Sequence, residues 1–187
     1  MSDVVVIAGP NGAGKSTLAP HLLRDNLHIY EYVNADTIAE GLSAFAPESA
    51  AIEAGRIMLR RIDELATQKK DFSFETTLAT RTYSKRLAKF QTTGYYVHLV
   101  FLWLNSPELA IERVAERVRY GGHNIPEETI RRRYDRGLAN FFSLYRPIVD
   151  SWQVYDVSEE SPIEVAYGDK LEGQTIVEES IWQTIEK

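Results

Sequence analysis

The chain of 187 residues contains no cysteine, which excludes disulfides and thiolate zinc sites and fits a reducing compartment. It has no excess of positive charge either: 21 Lys and Arg face 27 Asp and Glu, for a net charge of −6. That balance argues against a general nucleic-acid surface or an anionic-membrane surface, since neither attracts an acidic protein at long range. Long hydrophobic runs are missing. The amino-terminal apolar stretch is short and has no basic region before it. Neither a signal peptide nor a membrane span is expected, and a cytoplasmic location is. No internal repeat, low-complexity linker, LSGGQ-like signature or Asn-Lys-x-Asp guanine-reading motif occurs. The apolar run at 97–104 ends on Asn105, where a translocating ATPase carries an aspartate. A translocating ATPase and a regulatory GTPase are therefore disfavoured.

What is present begins at residue 9. Gly9-Pro10-Asn11-Gly12-Ala13-Gly14-Lys15-Ser16 is a complete G-x-x-x-x-G-K-[ST] phosphate loop, with Thr17 directly after it. Val4, Val5, Val6 and Ile7 before it suit a strand buried on both faces, and apolar residues at 18, 19, 22 and 23 after it have helical spacing. Glycines let successive N–H groups turn toward phosphate oxygens. Lys15 is expected to bridge the β- and γ-phosphates and Ser16 to hold Mg²⁺. ATP or GTP is the expected ligand.

Downstream, 29–33, 72–75, 95–104 and 154–157 read as strands, separated by helical patterns at 48–67, 83–90, 106–118 and 126–145. Ser106-Pro107 marks a helix start, and Ile111, Val114, Ala115 and Val118 its apolar stripe. Alternation of this kind implies a three-layer α/β fold with a mainly parallel sheet. Residues 1–187 read as one domain, with a helical lid at about 111–146 and a small strand-pair and helix element at about 160–187.

Ligands of such sheets bind outside the carboxyl ends of the strands, where Asp36 and Glu75 fall. A small-molecule kinase has to align an acceptor hydroxyl, remove its proton and neutralise the transferred phosphoryl group. Asp36 is the candidate base; its alternative use is as the N-cap of the next helix. Glu75, with Thr76, Thr77 and Arg81 as neighbours, is the candidate acceptor-binding set, though Glu75 could also serve a water on Mg²⁺. Between 111 and 146 lie eight arginines, at 113, 117, 119, 131, 132, 133, 136 and 146. Such a group suits a lid closing over phosphate, with Gly121 and Gly122 as its hinge. His123 reads as a packing residue.

The phosphate loop, Asn34-Ala35-Asp36, Phe74-Glu75-Thr76-Thr77, and Arg113-x-x-x-Arg117 leading to Gly121-Gly122-His123-x-Ile125-Pro126 together resemble the zeta-toxin family, in its short bacterial P-loop members. The resemblance spans about 3–157. It implies an ATP- and Mg²⁺-dependent kinase of a toxin–antitoxin system, acting on a sugar hydroxyl of a UDP-amino sugar and blocked by a small antitoxin protein. It makes Lys15 the phosphate-binding lysine, Asp36 the base and Glu75 a substrate-contacting acid. The lid arginines fall among Arg113, Arg117 and Arg119. Two other readings stand beside it: a polynucleotide 5′-hydroxyl kinase, and a non-catalytic ATP-binding partner module.

Overall fold

Val4 to Ile7 are at most 1% exposed, so the first strand has to be covered on both faces. In the computed structural model, which describes residues 2–186, this strand is β1 (Ser2–Ala8), near the middle of the sheet. The chain continues through α1 (Lys15–Ala19), a π-helical stretch (Pro20–Asn26), β2 (Glu31–Val33), α2 (Ala35–Leu42) and a 3₁₀ turn (Pro47–Ala50). Then come α3 (Ala51–Thr67), β3 (Phe72–Thr76), α4 (Ser84–Thr92), β4 (Tyr95–Trp103), α5 (Pro107–Arg119) and α6 (Glu127–Asn140). A second π-helical stretch (Phe141–Tyr145), β5 (Ser151–Asp156), β6 (Ile163–Asp169), β7 (Gly173–Ile176) and α7 (Glu179–Ile185) complete it. Pro20 has no N–H to give a regular helical ladder, and α1 changes pitch there.

The seven strands lie in the order β2-β3-β1-β4-β5-β6-β7. The first five pair in parallel, and β6 and β7 add antiparallel. The carboxyl-terminal strand pair therefore extends the main sheet instead of standing as a separate element. Period-two alternation divides the core. Val4, Val6 and Ala8 pack with Met58, Ile62, Leu87 and Phe90 of α3 and α4 on one face. Val5 and Ile7 pack with Ala19, Ala110 and Val114 of α1 and α5 on the other. The fold is a three-layer α/β P-loop architecture. Among the described residues, no helix is long and apolar enough to cross a membrane.

Two helix assignments change. On α5 the buried positions are Ala110 and Val114, while Ala115 is exposed, because the helix meets the sheet with a narrower stripe than its apolar residues suggest. The stretch 111–146, expected to form a lid, is packed into the core at its far end. Phe141 and Tyr145 are fully buried, and the Tyr145 hydroxyl donates to the Thr80 carbonyl at 2.5 Å. Asn140 Nδ2 donates to the Leu78 carbonyl at 2.7 Å. Gly137 lies so close to the Thr77 carbonyl that any Cβ would collide with it. Gly137→Ala is therefore expected to destabilise the fold by about 2 kcal/mol through overpacking, read as a lower urea midpoint at constant m-value.

Candidate active site

The phosphate loop leaves β1 and turns into α1 through three glycines with left-handed backbone: Gly9 at φ 142°, Gly12 at 83° and Gly14 at 74°. At two of them space is the second constraint. A Cβ on Gly9 would collide with the Leu102 carbonyl of β4, and one on Gly12 with the Ala110 carbonyl of α5. Within the loop Ala13 N–H donates to Pro10. Among the described residues, the N–H groups of Asn11, Gly12, Gly14, Lys15 and Ser16 have no backbone acceptor. Asn11 and Lys15 are buried, Gly12 is half-buried, and Gly14 and Ser16 are exposed; successive N–H groups of this kind suit the oxygens of a polyphosphate.

Lys15 is 5% exposed. Its Nζ donates to the Pro10 carbonyl at 2.8 Å and lies 3.7 Å from Glu75 Oε1. Burial lowers its pKa; the carboxylates of Glu75 and Asp36 oppose that, and Arg117 and Arg133 add to it. The lysine thus feels two carboxylates and two guanidiniums of the cleft. Glu75, near the end of β3, is the hub. Its Oε2 accepts from Ser16 Oγ at 2.8 Å, Tyr32 Oη at 2.5 Å and Asn34 Nδ2 at 3.0 Å. Burial raises the Tyr32 phenol pKa, and the Glu75 charge raises it further. The phenol is therefore a donor at neutral pH. The hydroxyl of Ser16 beside a carboxylate, next to the loop, is the donor set that a Mg²⁺ carried by phosphates uses.

Asp36 lies in the first turn of α2, but it is not the cap. Asn34 caps that helix, its Oδ1 accepting the Asp36 N–H at 2.8 Å. The Asp36 carboxylate is left facing a cavity of about 120 Å³, shared with Ala39, Glu40, Pro47, His123 and Arg133. Arg133 reaches back toward the loop, with Nη1 3.4 Å from Asn11 Oδ1. Burial lowers its guanidinium pKa while Asp36 supports the charge.

The arginines singled out by the zeta-toxin likeness have different surroundings. Arg113 is committed elsewhere: Nη1 and Nη2 donate to the carbonyls of Val157 and Ser158, each at 2.7 Å, so it ties α5 to the loop after β5. Arg117 is exposed and donates to the His123 carbonyl at 2.8 Å. Arg119 is exposed. Of the β3 neighbours, Thr76 Oγ1 accepts the Leu78 N–H at 3.1 Å, Thr77 is half-buried and Arg81 lies exposed in the following loop. His123 is half-buried, its Nδ1 3.8 Å from Glu48 Oε2. Sequence reasoning named Asn11 within the phosphate loop and Arg133 only as one of eight lid arginines; it did not single out Tyr32 or Asn34 as site residues. For Arg133 a signal existed. It shares the inward stripe of α6 with Ile130, Tyr134 and Gly137, and a cation on a buried face needs a reason.

Residues 4–143 match the AAA domain family. The chain belongs to that family. An uncharacterized protein of Haemophilus influenzae is 32% identical over 133 residues, covering 71% of this chain and 93% of that one. A cytidylate kinase of Haloarcula marismortui is 28% identical over 165 residues, 83% of this AAA-domain chain and 79% of its own. Among solved structures, a chain of the AvrRxo1-ORF1:AvrRxo1-ORF2 complex superposes with a TM-score of 0.81 at 14% identity, covering 99% of this chain. This AAA-domain chain spans 63% of that protein's length. The same complex has been solved with ATP. A chain of the PezAT chromosomal toxin–antitoxin system of Streptococcus pneumoniae superposes at 0.72 with 18% identity, covering 98% of this chain and 78% of its own. The zeta-toxin likeness of the motifs is thereby borne out at the level of the P-loop kinase-like fold.

Proposed function

We propose that this AAA-domain protein is an ATP-dependent phosphotransferase that moves the γ-phosphoryl group onto a hydroxyl of a small metabolite. One observation carries this reading: the Asp36 carboxylate, with no side-chain hydrogen-bond partner among the described residues, shares a cavity with the half-buried guanidinium Arg133, which reaches from it to Asn11 of the phosphate loop at 3.4 Å. A regulatory nucleotide switch has no need of that pairing. In-line transfer does. Asp36 takes the proton of the attacking hydroxyl as its oxygen bonds to the γ-phosphorus. The bond from that phosphorus to the β–γ bridging oxygen breaks, and ADP leaves. Lys15 and Arg133 neutralise the charge that builds on the moving group, with Arg117 close enough to add to the field at Lys15. Ser16 and Glu75 are the residues that would hold Mg²⁺, which supplies charge neutralisation on the β- and γ-oxygens. Among the described residues no cluster of three His, Asp or Glu side chains could hold a metal unaided, which suits an ion that arrives with its nucleotide.

For the acceptor, the zeta-toxin resemblance favours a UDP-amino sugar and a toxin held by an antitoxin, in the cytoplasm where ATP is supplied. The likeness to chains of two protein complexes, one of them a toxin–antitoxin system, supports that partner. The test offers γ-labelled ATP with UDP-amino sugars, other hydroxylated metabolites and 5′-hydroxyl oligonucleotides. Label is expected on the sugar. Label on the oligonucleotide ends reassigns the acceptor, and tight ATP binding with no consumption in any arm overturns the kinase in favour of a binding module.

A further inference from the structure

We infer that Tyr32 is the positioning residue that holds Glu75 on the metal side of the phosphate loop, the place assigned to it above, and away from the acceptor. The inference rests on the reading of the site as one for nucleotide with Mg²⁺. Three observations lead to it.

First, Glu75 holds the two groups that a metal–triphosphate needs. Its Oε2 takes the Ser16 hydroxyl at 2.8 Å and its Oε1 lies 3.7 Å from Lys15 Nζ. When Ser16 turns to a cation and Lys15 to phosphate, the carboxylate loses both partners. Second, two donors that are not part of the loop remain: Tyr32 Oη at 2.5 Å and Asn34 Nδ2 at 3.0 Å, both on Oε2. Three donors crowd one carboxylate oxygen, which offers about two lone-pair directions. Releasing Ser16 therefore relieves the crowding and leaves the carboxylate held by Tyr32 of β2 and by Asn34 just after it. Third, Glu75 does not line the cavity where Asp36 and Arg133 meet, whereas Ala39, Glu40, Pro47 and His123 do. An acid directed at Ser16 and absent from that wall is placed for the ion, not for the hydroxyl.

Of the two positioning donors only Tyr32 can be altered cleanly. Asn34 also caps α2 through the Asp36 N–H, so its loss would disturb the base as well. Tyr32→Phe keeps the ring, which packs against the cluster formed by Val5, Ile7 and Leu102, and removes only the hydroxyl.

The experiment is calorimetry of ADP binding over a Mg²⁺ titration, with steady-state kinetics alongside, for wild type, Tyr32→Phe and Glu75→Gln. In EDTA wild type and Tyr32→Phe are expected to bind ADP with the same affinity. With Mg²⁺, half-saturation by the metal is expected to rise about tenfold in Tyr32→Phe, the range seen when a group orienting a metal ligand is removed, and further in Glu75→Gln. Where turnover is measurable, kcat of Tyr32→Phe should recover at high Mg²⁺ while the acceptor KM stays at the wild-type value. An unchanged Mg²⁺ titration in both variants overturns the inference. So does a raised acceptor KM in Glu75→Gln at unaltered Mg²⁺ dependence. Wild-type protein that binds no nucleotide refutes the kinase reading itself, an outcome distinct from either.

Discussion

Asp36→Asn is expected to reduce phosphoryl transfer by about a thousandfold, the usual contribution of a positioned base, while leaving affinity for ADP and Mg²⁺ near the wild-type value. The substitution isolates the chemistry. What α2 needs from position 36 is its backbone N–H, which donates to Asn34 Oδ1 at 2.8 Å and is the same in asparagine. The side chain faces the cavity in the company of Arg133, and a neutral amide fits there with no change of volume. Asparagine cannot accept the hydroxyl proton. It also removes the carboxylate that supports charge on half-buried Arg133. In the proposed site nucleotide is held by the loop N–H groups and Lys15, which the variant retains. Transfer rates from single-turnover labelling, set against calorimetric Kd values for the same preparation, give the comparison. An Asp36→Asn protein that still turns over at the wild-type rate removes Asp36 from the mechanism.

The parts of this site that were legible in the sequence are those whose cause is local. Three glycines, a lysine and a serine at fixed spacing after a run of Val and Ile specify the loop, because φ values of 142°, 83° and 74° select glycine residue by residue. Glu75 and Asp36 follow as candidates from one topological rule, that ligands sit at the carboxyl ends of parallel strands, and the structure places both there. Contacts made by distant segments were not legible. Arg113 has the helical spacing of a lid arginine, yet it is pinned to carbonyls 44 and 45 residues away. Tyr32 reads as one more β-forming residue in a short strand. Only the pairing of β2 with β3 in the register Val33 to Phe74 brings its hydroxyl beside Glu75. The lid shows the same boundary. Periodicity marks 126–145 as one helix, but it does not say that Phe141 and Tyr145 enter the main core, where they anchor its far end. In the same way, Asn34 and Asp36 are both good caps, and the difference between them appears only when the backbone direction at the end of β2 is known.

Lys15→Met should separate function from stability most sharply. The ammonium is buried against Pro10 O and Glu75, and burial holds its pKa below the usual lysine value, so the fold bears a cost for keeping it charged. Methionine has a similar length and no charge to bury. The Glu75 carboxylate would keep its bonds to Ser16, Tyr32 and Asn34. The melting temperature without nucleotide is therefore expected to stay near the wild-type value. Function should not. Losing the cation that the proposed mechanism sets against the β- and γ-phosphates is expected to reduce transfer by about a thousandfold, as for other groups that stabilise developing charge. Nucleotide affinity should fall as well, and thermal melts show it directly. At a ligand concentration of about a hundred Kd, wild type gains roughly 2.7 kcal/mol of stability, and a variant weakened a hundredfold keeps only about 0.4 kcal/mol of it. Adding a nonhydrolysable ATP analogue with Mg²⁺ should thus raise the wild-type midpoint by several degrees and leave Lys15→Met almost where it was. Equal shifts in the two proteins would mean that Lys15 does not face the phosphates, and the loop would have to be read as a structural turn.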